Sequence, residues 1–74
     1  MKRDWLKQIR LDKKLKQSDV YEAVGISSAL YSRIESGAKG PSMETAARLS
    51  DFMDFPMDLW KEDALKRAEE KNNK

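Results

Sequence analysis

The segment that most constrains the fold is residues 17–37, QSDVYEAVGISSALYSRIESG, because it predicts two short helices joined by a tight turn. Val20, Ala23 and Val24 recur at positions i, i+3 and i+4, which is the spacing of one buried helical stripe. Gly25 follows where a helix commonly ends, since glycine adopts the left-handed conformation without a side-chain clash. The first of the two helices is therefore expected to end at Val24.

The second helix of this segment is predicted over residues 28–35. Ser27 precedes it and is a good N-cap, because its hydroxyl can accept a hydrogen bond from a backbone N–H group two or three residues later. Leu30, Tyr31 and Ile34 repeat at helical spacing and are expected to face the core. So short a link sets the two helices at a steep angle and leaves the opposite face of the second helix exposed.

The chain of 74 residues has room for one small all-α domain with a modest core. Further helices are predicted over residues 3–14, over residues 43–53 and from residue 57 or 58 onward. The apolar residues of these helices that we expect to be buried are Trp5, Leu6, Ile9, Met43, Ala46, Ala47, Leu49, Met53, Leu59, Trp60, Ala64, Leu65 and Ala68. The domain is expected to span residues 1–68, and the polar segment 69–74 is expected to be a frayed tail.

The composition excludes several classes of protein. The chain has no cysteine and no histidine, which excludes disulfide scaffolds, the usual zinc sites, cysteine nucleophiles and histidine bases. Its carboxylates are spread along helix surfaces, so we expect neither an enzyme nor a cofactor or metal. No apolar run approaches the roughly 18 residues of a membrane span, and no signal peptide is apparent. The sequence therefore predicts a cytoplasmic protein without membrane contact.

The charges of the chain are unevenly distributed. Residues 1–16 contain seven lysines and arginines against two aspartates, whereas residues 50–63 contain five acidic residues and one lysine. A chain polarised in this way can turn its basic end toward a polyanion and keep its acidic end away from it. The alternative is that these are the ordinary charges of solvated helical surfaces.

This order of helices resembles the Cro/CI-type (XRE-family) DNA-binding domain of phage repressors and small bacterial regulators. The resemblance covers roughly residues 6–60. It is carried by Arg10, Leu15, Gln17, Val20, Gly25, Ile26, Ser27, Ser32, Arg33, Ile34, Glu35, Ser36, Gly37, Pro41, Ser42 and Leu49. The resemblance implies a compact five-helix lambda-repressor-like fold with its helix-turn-helix at helices 2 and 3. It also implies a transcriptional regulator, expected to be a repressor, that binds double-stranded DNA. Such a regulator is expected to be encoded by a bacterium, a phage or a mobile element and to act at the bacterial nucleoid.

The resemblance also indicates which side chains face the DNA bases. Ser28, Ala29 and Arg33 lie where family members place base-reading side chains, and Ser32 lies beside them. The inward row of the same helix independently predicts that these residues point outward. The Arg33 guanidinium can donate to guanine O6 and N7, and Ala29 can contact a thymine methyl group. The alternatives for Arg33 are a phosphate contact or an ion pair near Glu35.

Other polar residues are candidates for contact with the DNA backbone. By resemblance, Gln17 contacts a phosphate and braces the recognition helix. The remaining candidates are Lys13, Lys14, Lys16, Ser27, Lys39 and Ser42. The alternatives are that the lysines only improve solubility and that Ser42 only caps the fourth helix.

Four residues bear on the internal structure of the helix-turn-helix and its support. Arg10 and Glu35 match a pair that the family buries as a salt bridge between helix 1 and the end of helix 3; the alternative is that both are solvated. Tyr21 departs from the family, which has a small residue there, so its ring is expected to tilt outward or to push helices 2 and 3 apart. Lys16 replaces the usual Ser or Thr cap, so helix 2 is expected to fray at its start.

The C-terminal region offers a candidate surface for a homodimer or a protein partner, formed by Phe55, Leu59, Trp60 and Leu65. We expect a homodimer at least on DNA, because this fold commonly binds two half-sites. The alternative is that Trp60 closes the core near Trp5. An antitoxin or adaptor that uses the acidic segment 50–63 mainly to hold a protein partner is the competing function.

Overall fold

Local sequence signals set the helix ends in the computed structural model, which describes the backbone of residues 2–72 and the side chains of residues 2–70. The described part of the chain contains five helices and no strand. They are α1 (Asp4–Asp12), α2 (Gln17–Val24), α3 (Ser28–Ser36), α4 (Met43–Met53) and α5 (Asp58–Asn72). The predicted all-α fold with five helices is therefore confirmed.

The turn residues behave as their chemistry predicts. The Ser27 hydroxyl accepts a hydrogen bond from the Leu30 N–H group at 3.0 Å, which caps the start of α3. Gly25 and Gly37 end α2 and α3 with φ values of 75° and 86°, in the left-handed region. The two helices of the helix-turn-helix are thus bounded by residues suited to those positions.

The start of α2 is stabilised by two hydrogen bonds, although Lys16 has no hydroxyl group to cap the helix. The Asp19 carboxylate accepts a hydrogen bond from the Lys16 backbone N–H group at 2.8 Å. The Asp19 N–H group in turn donates to the Lys16 carbonyl at 3.1 Å. These two bonds oppose the fraying that we expect from the lysine at this position.

The core lies where α1, α2, α3 and α4 meet, with the first turn of α5 closing it. Its buried apolar residues are Leu6, Val20, Val24, Tyr31, Ile34, Ala46, Leu49, Met53 and Trp60. Tyr21 is half-buried against this cluster, and α2 still packs directly against α3. The ring at this position is therefore accommodated at the edge of the core.

The prediction that Ala23 is buried is wrong. Ala23 is exposed, whereas Val20 and Val24 are buried and Tyr21 is half-buried. Because each residue turns a helix by about 100°, Tyr21 and Ala23 lie on opposite sides of the line through Val20 and Val24. The buried stripe of α2 includes the side on which Tyr21 lies. The i, i+3, i+4 spacing alone cannot distinguish the two sides of Val24.

The predicted apolar faces of α4 and α5 are also wrong in part. Met43 is 80% exposed and Leu65 is 65% exposed. The other members that lie on the surface are Ala47, Ala64 and Ala68. On α5 the inward positions after Trp60 are the buried Asp63 and the half-buried Arg67, so polar residues occupy the stripe that apolar residues were expected to fill.

Helix α5 extends well beyond the part of it that reaches the core. It continues to Asn72 and so includes residues 69–72 of the segment for which we expect fraying. Residues 73 and 74 of that segment lie outside the described residues. None of the described helices is long and apolar enough to cross a membrane.

Three aromatic side chains pack the start of α1 against the α4–α5 turn and the start of α5. The Trp5 ring lies 5.0 Å from the Trp60 ring and 5.6 Å from the Phe55 ring, both in edge-to-face arrangements. The Trp60 Nε1–H group donates to the Ser50 hydroxyl at 2.9 Å. Trp60 therefore closes the core beside Trp5, and its expected place on a dimer or partner surface is wrong because its ring is buried in this cluster.

Candidate nucleic-acid interface

Helix α3 presents a short polar row on the side opposite the core. Tyr31 and Ile34 are fully buried, which fixes the rotation of the helix about its axis. The four predicted base-reading side chains are all exposed: Ser28, Ala29, Ser32 and Arg33. The row therefore consists of three small side chains and one long cation.

A buried salt bridge fixes α3 against the first two helices. Arg10 Nε and Nη2 lie 2.9 Å and 3.1 Å from the two carboxylate oxygens of Glu35, a bidentate arrangement. Gln17 Nε2 donates to the same carboxylate at 3.2 Å, and Arg10 Nη1 donates to the Leu15 carbonyl at 2.9 Å. Glu35 thus ties α1 and the start of α2 to α3, with Gln17 in the bracing position that the resemblance implies.

The electrostatics of this salt bridge favour its charged form. Burial of the Glu35 carboxyl opposes its ionisation, but hydrogen bonds from Arg10 and Gln17 outweigh burial and hold its pKa below the usual value. Burial, together with the nearby Glu35 carboxylate, raises the pKa of Tyr31 well above its ordinary value. The Tyr31 hydroxyl is buried and has no hydrogen-bond partner among the described residues.

A second buried salt bridge, between Arg3 and Asp63, is absent from the sequence predictions. Arg3 Nε lies 3.1 Å from Asp63 Oδ2, and both residues are about 5% exposed or less. The Trp5 and Arg67 side chains also donate to this carboxylate, at 3.0 Å and 2.8 Å. Burial opposes ionisation of Asp63, but the donors and the Arg3 charge keep its pKa below the usual value. The signal was the position of Asp63, three residues after Trp60 on the inward face of α5.

The predicted backbone-contacting residues lie in turns, in the loop after α3 and at the starts of helices. Lys13, Lys14 and Lys16 are exposed in the turn between α1 and α2, and Lys39 is exposed in the loop after α3. Ser27 and Ser42 are exposed, and their hydroxyl groups cap α3 and α4. Gln17 is half-buried at the start of α2.

A polar groove of about 210 Å³ runs beside α3. Its lining comes from α1, α2, α3 and the residue preceding Arg3: Lys2, Asp4, Lys7, Gln17, Ser32, Glu35 and Ser36. Lys2 and Lys7 are exposed, and neither was singled out from the sequence as a candidate. The groove brings these two cations next to Ser32 of the polar row.

Two short helices joined by a tight turn, of which the second is fixed by the core and by Glu35 and exposes a polar face, define a helix-turn-helix DNA-binding domain. A family model described as helix-turn-helix matches residues 6–60, so the chain belongs to this family, the XRE family that its sequence resembles. The chain is 35% identical over 63 residues to the uncharacterized HTH-type transcriptional regulator YqaF of Bacillus subtilis (strain 168). That match covers 85% of this chain and 83% of YqaF. No solved structure matches the chain.

Proposed function

We propose that this protein is a sequence-specific transcription regulator that inserts α3 into the major groove of double-stranded DNA. The observation that carries the proposal is the exposed row Ser28, Ala29, Ser32 and Arg33 on a helix whose back is fixed by the core and by Glu35. The B-DNA major groove admits one α-helix. A helix held in a fixed orientation keeps its side chains aligned with the base edges. Membership of a helix-turn-helix family and the likeness to a transcriptional regulator support the proposal.

The four side chains divide the work of recognition by their chemistry. Arg33 donates two hydrogen bonds to the O6 and N7 atoms of one guanine, a pair that discriminates by about 1–3 kcal/mol. Ala29 packs against a thymine methyl group, while Ser28 and Ser32 hydrogen-bond to base edges or to bridging water. Because the row has only one cation, DNA shape contributes the remaining specificity.

Contacts to phosphates orient the domain on the duplex. We assign them to Gln17, to the exposed lysines of the α1–α2 turn and to Lys39, and we extend them to Lys2 and Lys7 of the groove beside α3. The Ser27 and Ser42 hydroxyls serve first as helix caps, and the helix N-termini they cap favour a nearby phosphate. Phosphate contacts position the domain, and base contacts specify the site.

We further propose that the protein represses transcription as a homodimer on two half-sites about 34–36 Å apart. The dimer contact is assigned to the outer face of α5, where Leu65 is 65% exposed and Leu59 is half-buried. We do not include Phe55 and Trp60 in the proposed dimer contact, because their rings pack against each other in the aromatic cluster. The competing adaptor function is less favoured for the same reason, because Trp60 is buried and is not presented to a protein partner. A bacterial DNA regulator of this kind acts in the cytoplasm, at the nucleoid.

Selection of binding sites from random duplexes at fixed salt concentration tests the proposal. The wild-type protein is expected to enrich one motif, and two copies of it in inverted orientation where it binds as a dimer. Arg33→Ala is expected to relax the motif, whereas Asp51→Ala, an exposed change on α4, is expected to leave it unchanged. Enrichment of no motif by the wild-type protein would overturn the proposal.

A further inference from the structure

We infer that Arg3 is a positioning residue for DNA binding, which fixes the end of α3 and the loop carrying Lys39 without touching DNA itself. The inference rests on the proposed function, because it concerns how two of the proposed DNA contacts, Arg33 and Lys39, are held. Arg3 precedes the first helix and is 4% exposed, so its guanidinium is not available to a phosphate.

The first line of support is the set of carbonyl groups that Arg3 contacts. Arg3 Nη1 donates to the Ile34 carbonyl at 2.6 Å and to the Lys39 carbonyl at 3.0 Å. The Arg3 backbone N–H group donates to the Glu35 carbonyl at 3.0 Å. The last four carbonyl groups of a helix accept no hydrogen bond from an N–H group within it, and a cation there also interacts favourably with the helix dipole. Arg3 thus caps the C-terminus of α3 from another part of the chain.

The second line of support is the way Arg3 itself is held. Its Nε donates to Asp63 at 3.1 Å, and its guanidinium carbon lies 5.8 Å from the centre of the Trp60 ring. A Cβ atom added to Gly40 would lie 3.8 Å from Arg3 Nη2, so the loop after α3 runs directly beside the guanidinium. The planar fork of arginine contacts both α5 and the loop at once, which the single ammonium group of lysine cannot reproduce.

The third line of support is that the backbone held by Arg3 carries Lys39, one of the proposed phosphate contacts. The Lys39 N–H group donates to the Arg33 carbonyl at 3.2 Å, which ties the loop to the last turn of α3. The Lys39 carbonyl accepts from Arg3, so both backbone polar groups of Lys39 are hydrogen-bonded. A segment that is already ordered loses less conformational entropy when it binds than one that must be ordered at that moment. Arg3 therefore increases DNA affinity by holding Lys39 ready for its phosphate.

A double-mutant cycle on the selected duplex separates positioning from simple stability. The proteins are wild type, Arg3→Lys, Lys39→Gln and the double variant, each titrated over a series of salt concentrations at a temperature where circular dichroism shows it folded. Arg3→Lys is expected to weaken binding about five- to tenfold in the wild-type background and much less beside Lys39→Gln, because residues that share contacts are coupled. It is also expected to reduce the salt slope by about 0.9, the contribution of one phosphate contact, but not beside Lys39→Gln.

Arg67→Lys is the matched control, because Arg67 shares the Asp63 carboxylate but makes no hydrogen bond to α3 or to the loop. It is expected to leave affinity and slope unchanged. If Arg3→Lys does not fold, Asp63→Asn, which loosens the anchor and keeps the arginine, replaces it in the cycle. Equal losses in both backgrounds, or a lower melting temperature with unchanged affinity and slope, would overturn the inference. Failure of the wild-type protein to select any motif would instead overturn the proposed function.

Discussion

Arg10 and Glu35 join the first helix to the end of the third through two hydrogen bonds of 2.9 Å and 3.1 Å, with both side chains less than a tenth exposed. Buried charges are tolerated only when they are paired and hydrogen-bonded. Gln17 completes the pairing from α2. The helix that we propose to read DNA is thus fixed in place by electrostatics on one side and by the apolar core on the other.

Removing Glu35 is expected to destabilise the fold. Glu35→Ala leaves the Arg10 guanidinium buried without its partner, which costs about 3–5 kcal/mol of unfolding free energy. Urea unfolding measures the loss. Glu44→Ala is the control, because Glu44 pairs with Arg48 on an exposed helix surface where such pairs contribute about 1 kcal/mol or less. A melting temperature of Glu35→Ala equal to that of the wild type would contradict the structural role of the pair.

The fold is expected to lose stability in acid. Glu35 and Asp63 both have pKa values lowered in the folded state, so their contribution is complete above the pKa of the unfolded chain and is lost as pH falls through the folded value. The free energy of unfolding should therefore fall below about pH 5. Urea titrations between pH 7 and pH 3 measure this, and Glu35→Gln should flatten the dependence. A wild-type unfolding free energy that stays constant down to pH 3 would be inconsistent with the two buried pairs.

Gly37 and Gly40, three residues apart in the chain, are expected to respond differently to substitution. Gly37 has a φ of 86°, so Gly37→Ala forces a side chain into the left-handed region at a cost of about 1–2 kcal/mol. Gly40→Ala places its Cβ at an ordinary contact distance of 3.8 Å from Arg3 and should be nearly neutral. Thermal melting compares the two. Equal effects would mean that the turn after α3 does not depend on the conformation of Gly37.

Lys7 is expected to contribute one phosphate contact. Lys7→Gln should reduce the slope of log affinity against log salt concentration by about 0.9, with no change of sequence preference. Lys61→Gln removes another exposed lysine, which lies on α5 and does not line the groove, and serves as the control. If both substitutions change the slope equally, the groove beside α3 has no particular part in binding and Lys7 acts only through net charge.

Leu65 is expected to stabilise a dimer on DNA. Leu65→Gln removes an exposed apolar side chain from α5 and should abolish cooperative binding to a duplex with two half-sites, while affinity for a single half-site is kept. Sedimentation of the complexes distinguishes one bound copy from two. Cooperative binding that survives Leu65→Gln would place the dimer contact elsewhere.

The helix-turn-helix could be predicted well because local chemistry determines it. Gly25, Ser27 and Gly37 set its ends, and the spacing of Tyr31 and Ile34 sets the rotation of α3. These signals act within one or two helical turns, so they can be identified without knowing the rest of the fold.

The contacts between distant parts of the chain could not be predicted in the same way. Arg3 and Asp63 are 60 positions apart, and both were counted only as members of charged segments. Leu65 was expected either on the buried stripe of α5 or on a partner surface, because its apolar character alone does not show that Asp63 occupies the inward stripe. A polar residue on an inward face is satisfied by a partner elsewhere in the chain, which periodicity does not identify.

The most direct test of the proposed function is the affinity of wild-type and Arg33→Ala proteins for the selected duplex and for variants with each base pair replaced in turn, all at one salt concentration. We predict that the wild-type protein loses about 1–3 kcal/mol of binding free energy at one guanine and that Arg33→Ala no longer distinguishes that position while keeping its preferences at the others. A uniform loss of affinity for every duplex in Arg33→Ala would contradict direct readout and would make Arg33 a phosphate contact.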